Sequence, residues 1–345
     1  MIEAEQQATL NELRRMFEAL RQELAETREH LTATVRSLEQ LRAHGQYLWR
    51  QRLRKLFGVR LGIMHQYSPR KLKLPRHYYE KLEQPSLSFS VVTPSFNQGP
   101  FLEQTIRSVL DQGYVGLQYI IQDGASADET AEILQRYRSL LAHCESRQDR
   151  GQSHALNLGF RQATGEIMAY LNSDDLLLPG ALRYVARYFA DHPNVDVVYG
   201  HRIVVDQDGA EIGRWVLPRH RDDVLSWADY IPQETLFWRR GIWERAGATI
   251  DETFHFAMDW DLILRFRDAG ARFVRLPRFL GAFRYHSGQK TTSQLASQGV
   301  KEMSRLRERC HGRKVTFLDI SAHLAKYYFH HRVYHLLYRL GVLRY

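Results

Sequence analysis

The stretch "SFSVVTPSFNQGPFLEQTIRSVLDQG", Ser88–Gly113, changes its hydrophobic period half-way. Ser88–Phe96 is a short apolar run, which predicts a strand. From Pro100 the apolar residues recur at helical spacing, and Gly113 is a natural stop, so a helix follows. The alternation then repeats. "LQYIIQDG" predicts a second strand and "SADETAEILQRYRSLLAH" a second helix. After "CESRQDRG", the segment "QSHALNLGFRQATG" predicts a third helix and "EIMAYLNSDD" a further strand. "PGALRYVARYFADHP" and "VDVVYGHRIVV" add another helix and another strand. This order predicts an α/β fold, a mostly parallel sheet with helices on both faces. Ligands of such sheets bind just beyond the carboxyl ends of the strands.

Polar clusters stand at those ends. Thr93, Pro94, Ser95, Phe96 and Asn97 follow the first strand, and Asp123, Gly124, Ser126 and Asp128 the second. Asp149, Arg150, Gly151 and Gln152 form a third cluster, and Asn172, Ser173, Asp174 and Asp175 a fourth. One such cluster is an ordinary turn. Four in succession predict one composite site. An acid directly after a strand can accept hydrogen bonds from a nucleoside base or ribose, and Gly124 lets the chain turn closely.

Asp174 and Asp175 are adjacent carboxylates that repel each other. A hard divalent ion offsets that repulsion: Mg²⁺ takes one or two carboxylates and completes its shell with water and substrate phosphates, and Mn²⁺ favours the same ligands. A helix cap near Pro179 would account for one acid and stands several residues later. In "FAMDWDLILRFRDAG", Asp259 and Asp261 open a helix, where acids complement the dipole. A carboxylate there serves as general base if it reaches an acceptor hydroxyl. Gln233, Glu234 and Trp238 upstream are expected beside the same pocket, and Arg284, His286 and Lys290 downstream over a phosphate.

The flanks differ from this core. Leu10, Phe17, Leu24, Leu31 and Leu38 occupy one seam position of a heptad pattern, and Leu13, Leu20, Thr27, Thr34 and Leu41 the other. That predicts a coiled-coil helix over residues 1–43 and self-association. A basic connector follows over 44–86; from Glu39 to Glu80 there are ten Lys/Arg and no acid between. After Asp319 the chain has no acid either, and cations alternate with Leu, Phe and Tyr. Residues 293–345 therefore read as basic amphipathic helices. Such flanks suit an anionic membrane surface, where each cation contributes about 1 kcal/mol. They are equally read as solvated faces of helices packed on the core. No nucleic-acid motif accompanies them. Cys144 and Cys310 fit no metal spacing and read as reduced thiols. No apolar run approaches the ~18 residues of a membrane span, and the acidic, mixed N-terminus lacks a signal-peptide pattern. A cytoplasmic protein with a peripheral place at the inner membrane face is expected.

"VVTPSFNQGPFLEQTIRSVLDQ", "QDGASADET", "DRGQSHALNLGF", "TGEIMAYLNSDDLLLPGAL", "PQETLFWRRGIWERAG" and "MDWDLILRF" together resemble glycosyltransferase family 2, of the bacterial surface-polysaccharide type, over residues 87–292. The resemblance implies a GT-A fold and inverting, metal-dependent transfer of a hexosyl group from a nucleotide sugar to a hydroxyl of a glycan or lipid-linked acceptor. A UDP-sugar is the first expectation, with dTDP- and GDP-sugars open, and Mn²⁺ or Mg²⁺ as the metal. The resemblance further implies that Pro94, Ser95 and Asn97 line the nucleotide pocket, that Asp123 holds the base or ribose, and that Asp149, Gly151 and Asp174 lie near the donor. Asp174 and Asp175 look like its metal motif, with Asp175 the expected direct ligand, and His286 like its late metal- and diphosphate-binding histidine. Asp259 matches the catalytic base, although Met258 stands where the family has a glutamate. The alternative is a non-catalytic nucleotide-sugar-binding or coiled-coil scaffold protein of a polysaccharide assembly complex.

Overall fold

A computed structural model describes Glu18 and residues 58–80, 83–289 and 295–345. The chain divides into two units, residues 1–52 and 53–345. The expected coiled-coil helix of residues 1–43, Glu18 apart, lies outside the described residues, as does Lys290.

The second unit is built on a nine-stranded sheet. Its strands are β1 (Phe89–Ser95), β2 (Leu117–Asp123), β3 (His143–Ser146), β4 (Ile167–Tyr170), β5 (Leu176–Leu177), β6 (Val197–Val205), β7 (Glu211–Trp215), β8 (Phe237–Arg239) and β9 (Phe273–Arg284). They run in the order β3-β2-β1-β4-β8-β6-β9-β5, with β7 added to β6. β1 is parallel to β2 and β4, β2 to β3, and β6 to β9. β8 enters antiparallel between β4 and β6. Helices α1 (Gly99–Leu110), α2 (Thr130–Tyr137), α3 (Gln152–Gln162), α4 (Ala181–Asp191), α5 (Asp222–Leu225), α6 (Arg240–Arg245), α7 (Met258–Asp268), α8 (Val300–His311) and α9 (Phe317–Arg339) accompany the sheet. The architecture is the expected α/β one.

Every residue of β1 is buried, which is why it reads as a continuous apolar run rather than an alternating one. Pro94 is tolerated in this central strand because the pairing with β4 ends at Val92. Leu102, Ile106 and Val109 give α1 its buried stripe. Gly113, at φ 53°, ends the turn that follows it. On one side of the sheet Phe89, Val91, Ile106, Ile121, Val185 and Phe237 form one apolar cluster. A second cluster contains Val92, Phe160, Trp238, Trp243, Trp260 and Phe266, and reaches Leu324 and Tyr327 of α9. Both cysteines are free thiols, as expected.

Three strand placements position the site. The 3-10 turn Gln233–Thr235, which leads into β8, brings Gln233 and Glu234 to the end of β4. β5 pairs with β9 through Leu176 opposite Ala282, so the two acids before β5 meet the residues that end β9. β9 itself shifts register against β6 between Tyr199 and His201, which accommodates Pro277.

Candidate active site

The ends of β1 and β2 lock together. Asp123 is buried, and its carboxylate accepts the Ser126 N–H at 3.0 Å and the hydroxyls of Ser126 and Ser146, each at 2.5 Å. Asn97 takes a left-handed backbone at φ 51°. Its Oδ1 accepts the Ala127 N–H at 2.9 Å, and its own N–H donates to Ser126 Oγ at 2.7 Å. Asp128 accepts the Gly99 N–H at 2.9 Å, which satisfies the N-terminus of α1. Phe96 stands out with 61% of its surface exposed. A Cβ on Gly124 would meet Asp149 Oδ2 at 2.9 Å and Phe96 Cδ2 at 3.2 Å, so both side chains close on that glycine. Asp149 also accepts the Gly151 N–H at 2.7 Å, and Gly151, at φ 109°, caps α3. The first three sequence clusters are thus one surface, with an exposed ring beside buried carboxylate chemistry.

The fourth cluster joins the end of β9. His286 Nε2 lies 3.1 Å from Asp174 Oδ2. Asp175 faces inward and is buried: its Oδ1 accepts the Arg284 N–H at 3.0 Å, and Oδ2 the Asn172 amide at 3.3 Å. Burial first, then the charges of Asp174 and Glu234, push the Asp175 carboxyl well above its ordinary value. Asn172 also accepts from Gln152 at 2.7 Å, tying α3 to this corner. α4 begins at Ala181, beyond the two acids, so neither is its cap. Arg284 is wholly buried and anchors the corner: its guanidinium donates to the carbonyls of Asp174 and Gln207 and to Gln104. It is a fixed strut rather than a mobile phosphate clamp. Among the described residues no group of three His, Cys, Asp or Glu could by itself hold a metal ion. A Mg²⁺ or Mn²⁺ needs only one or two protein carboxylates when donor phosphates supply the rest, and the partly exposed Asp174 beside His286 fits that requirement.

The third part of the site opens α7. Asp259 Oδ1 accepts the Trp260 N–H at 2.8 Å. Burial is the main force raising its carboxyl to about 6, and the Glu234 charge adds to it. The Trp260 and Asp259 N–H groups and Arg202 pull the other way. Tyr170, on β4, is ringed by acids: after burial, the charges of Asp259, Asp229, Asp175 and Glu234 raise its phenol. Burial of its carboxyl, then the charge of Asp259, push Asp229 well up, although the residue as a whole reaches solvent. Arg202 balances this acidic ring by a buried two-pronged pair with Glu234, at 2.7 and 2.5 Å. Gln233 donates to the Tyr170 carbonyl at 2.7 Å, and Trp238 is core. Asp261 does not stand in for the missing acid at position 258. It is fully buried, with one oxygen on Arg265 at 2.8 Å and the other on Arg309 at 2.6 Å. Met258 instead accepts the Ser153 hydroxyl at 2.9 Å through its sulfur.

Strand ends that converge on a buried acid, an exposed ring, an Asp–His pair and a raised carboxyl match a known pattern. The family model described as Glycosyl transferase family 2 matches residues 90–268. The chain belongs to that family. This family 2 glycosyltransferase is 28% identical over 183 residues to a "PGL/p-HBAD biosynthesis glycosyltransferase" of Mycobacterium tuberculosis, covering 51% of this chain and 68% of that one. Among solved structures it resembles Staphylococcus aureus TarS 1–349 in complex with UDP-GlcNAc (TM-score 0.55, 18% identity, 71% and 72% of the two chains). It also resembles the mannosyltransferase PcManGT of Pyrobaculum calidifontis in complex with GDP-Man and Mn²⁺ (TM-score 0.51, 19% identity, 86% and 79%). The fold is therefore that of the GT-A transferases.

Asp229, Arg202, which pairs with the expected Glu234, and Glu302, whose carboxylate accepts the backbone N–H groups of His255, Phe256 and Ala257, were not legible as site residues. Asp229 and Arg202 stand in no motif, and Glu302 is distant in sequence from what it touches.

Proposed function

We propose that this enzyme transfers a hexosyl group from a nucleotide sugar to a hydroxyl of a glycan or lipid-linked acceptor, with inversion, in the assembly of a surface polysaccharide. The observation that carries the reading is Asp259: a carboxyl at the open end of α7, raised to about 6, within the same acidic ring as Asp175. A base poised near neutral pH is what hydroxyl activation requires, and such a group contributes about 10²- to 10⁴-fold in rate.

Asp259 takes the acceptor proton. The hydroxyl oxygen then attacks the anomeric carbon from the face opposite the leaving diphosphate, and the configuration inverts. Asp123, Pro94, Ser95, Asn97, Asp149 and Gly151 hold the nucleoside end, with Phe96 available to stack on a base. Asp174 and His286 would hold a divalent ion, and Asp175 orients that corner from beneath through Arg284 and Asn172. The ion, when bound, offsets charge on the departing diphosphate. UDP is the first expectation for the nucleotide; TarS, bound to UDP-GlcNAc, and PcManGT, bound to GDP-Man and Mn²⁺, support a nucleotide-sugar donor and a metal in general. Self-association through residues 1–43 and peripheral contact of the basic flanks with an anionic membrane complete the proposal.

Thermal shift with UDP-, GDP-, dTDP- and CMP-sugars, with and without Mn²⁺, tests it. A metal-dependent rise confined to one nucleotide class supports the assigned donor site. No rise with any donor, Mn²⁺ present, would overturn it in favour of a non-catalytic assembly protein.

A further inference from the structure

Helix α9 is apolar on two opposite faces. One face packs inward: Leu324, Tyr327 and His331 are buried, Tyr327 lies 4.7 Å from Tyr230, and His323 stacks at 3.8 Å on Trp227. The other face looks outward. Leu318, Ala322, Ala325, Phe329, Leu336 and Leu340 follow one another at three-, four- and seven-residue steps and are all exposed. Leu318 keeps 77% of its surface in solvent, Phe329 62%, Leu336 56% and Leu340 67%. At 100° per residue these six share one narrow stripe. Arg332 and Arg339 border it on one side and Lys326 on the other, all three exposed. From residue 312 to the C-terminal Tyr345 the one acid is Asp319, and Arg313 already engages it at 2.9 Å.

We propose that this outward stripe of α9 lies flat on an anionic bilayer, its apolar residues below the headgroups and Lys326, Arg332 and Arg339 among the lipid phosphates. The inference rests on the peripheral membrane contact proposed above and narrows it to one helix face. Charge selects the occupant. A second copy would bring the same cations, which no acid among the described residues pairs, against each other, whereas anionic lipid supplies that counter-charge. Among the described residues no helix is long and apolar enough to cross a membrane, so the face can lie on a bilayer but not span it.

The test is co-sedimentation of the full chain with vesicles of pure phosphatidylcholine and of phosphatidylcholine with three-tenths phosphatidylglycerol. Binding to the anionic vesicles, lost at high salt, is expected. Each cation is worth about fivefold in affinity, so Arg332→Gln/Arg339→Gln should weaken binding about 25-fold. Phe329→Ser/Leu336→Ser should weaken it by more than about tenfold. All these side chains are exposed, so the melting temperature should hold, which separates lost binding from lost folding. Unchanged binding by both variants would overturn the assignment to α9 and leave the membrane contact to another part of the chain. No binding by the parent would overturn both. A dimer that falls to monomer on Phe329→Ser/Leu336→Ser, with vesicle binding unaltered, would give the face to a second copy and overturn the inference.

Discussion

Glu302, on α8, accepts the backbone N–H of Ala257 at 2.9 Å, one residue before the helix that carries Asp259. The same carboxylate accepts the N–H groups of His255 at 3.0 Å and Phe256 at 2.8 Å. Ala257 is the N-cap of α7 and has no side chain to cap it, so α8 supplies the anion that the helix N-terminus favours. Burial works against the ionisation of Glu302, yet these bonds hold its carboxyl below the ordinary value. A helix remote in sequence therefore fixes the start of α7. Glu302→Ala strands these donors, which costs on the order of 1–3 kcal/mol. It should lower both the melting temperature and the transfer rate, while Glu302→Gln, which keeps one acceptor oxygen, should do less of both. Parent-like melting and kinetics in Glu302→Ala would sink this account.

Asp259 sets the pH response. Burial raises its carboxyl to about 6, so it is protonated in acid and becomes a base as pH rises through that value. Transfer should therefore climb along an acidic limb centred near pH 6. The sign for stability is opposite. The folded state holds this proton where the unfolded chain has already released it, so the Asp259 contribution to stability falls as pH rises from the ordinary aspartate range through about 6. Asp259→Asn should nearly abolish transfer and leave donor binding in place. Turnover within tenfold of the parent would move the base to another residue; Asp229, in the same acidic ring, would be examined next.

Gly124 governs the room for the nucleoside. A Cβ there would stand 2.9 Å from Asp149 Oδ2 and 3.2 Å from Phe96 Cδ2, so Gly124→Ala must push both side chains outward. Neither contact is to backbone, so the fold should survive. Titration of UDP by calorimetry should show affinity reduced severalfold, corresponding to about 1 kcal/mol. Unaltered affinity with an intact melting curve would place the nucleoside elsewhere.

The sequence was legible where local chemistry repeats. Asp123, Asp149 and the Asp174–Asp175 pair each follow an apolar run or open a turn, and the α/β alternation places such positions at one edge of a sheet. β5 and β8 were not legible, being only two and three residues long. Nor was β9, because Arg275, Pro277 and Arg278 break any apolar alternation. Yet β5 and β9 together bring Asp174 to His286. Arg284 looked like a phosphate ligand by its neighbours in sequence and is instead a buried strut, because burial is decided by the partner strand. Asp261 could equally have been a base or a helix-dipole charge. Only the arrival of Arg309 from α8 decides that both its oxygens are engaged.

His331 ties α9 to the rest of the fold and makes that docking sensitive to acid. Its Nε2 accepts the Arg60 N–H at 3.0 Å, and its Nδ1 donates to the Val216 carbonyl at 2.8 Å. That pair of bonds requires the neutral ring with its proton on Nδ1, since a charged imidazole would present an N–H to the Arg60 N–H. Burial pushes its value down to about 3; the Val216 bond opposes this, while His335 and Arg60 reinforce it. The unfolded chain binds a proton at pH 5 that the folded chain refuses, so stability is full above about pH 6.5 and falls as pH drops below it. At pH 5 the loss from this one ring is about 2 kcal/mol. Denaturant unfolding at pH 7.5 and pH 5 should show that difference, and His331→Gln should show less of it, although less stable at both. An equal pH dependence in parent and variant would mean that another group, not the ring holding α9, controls the acid response.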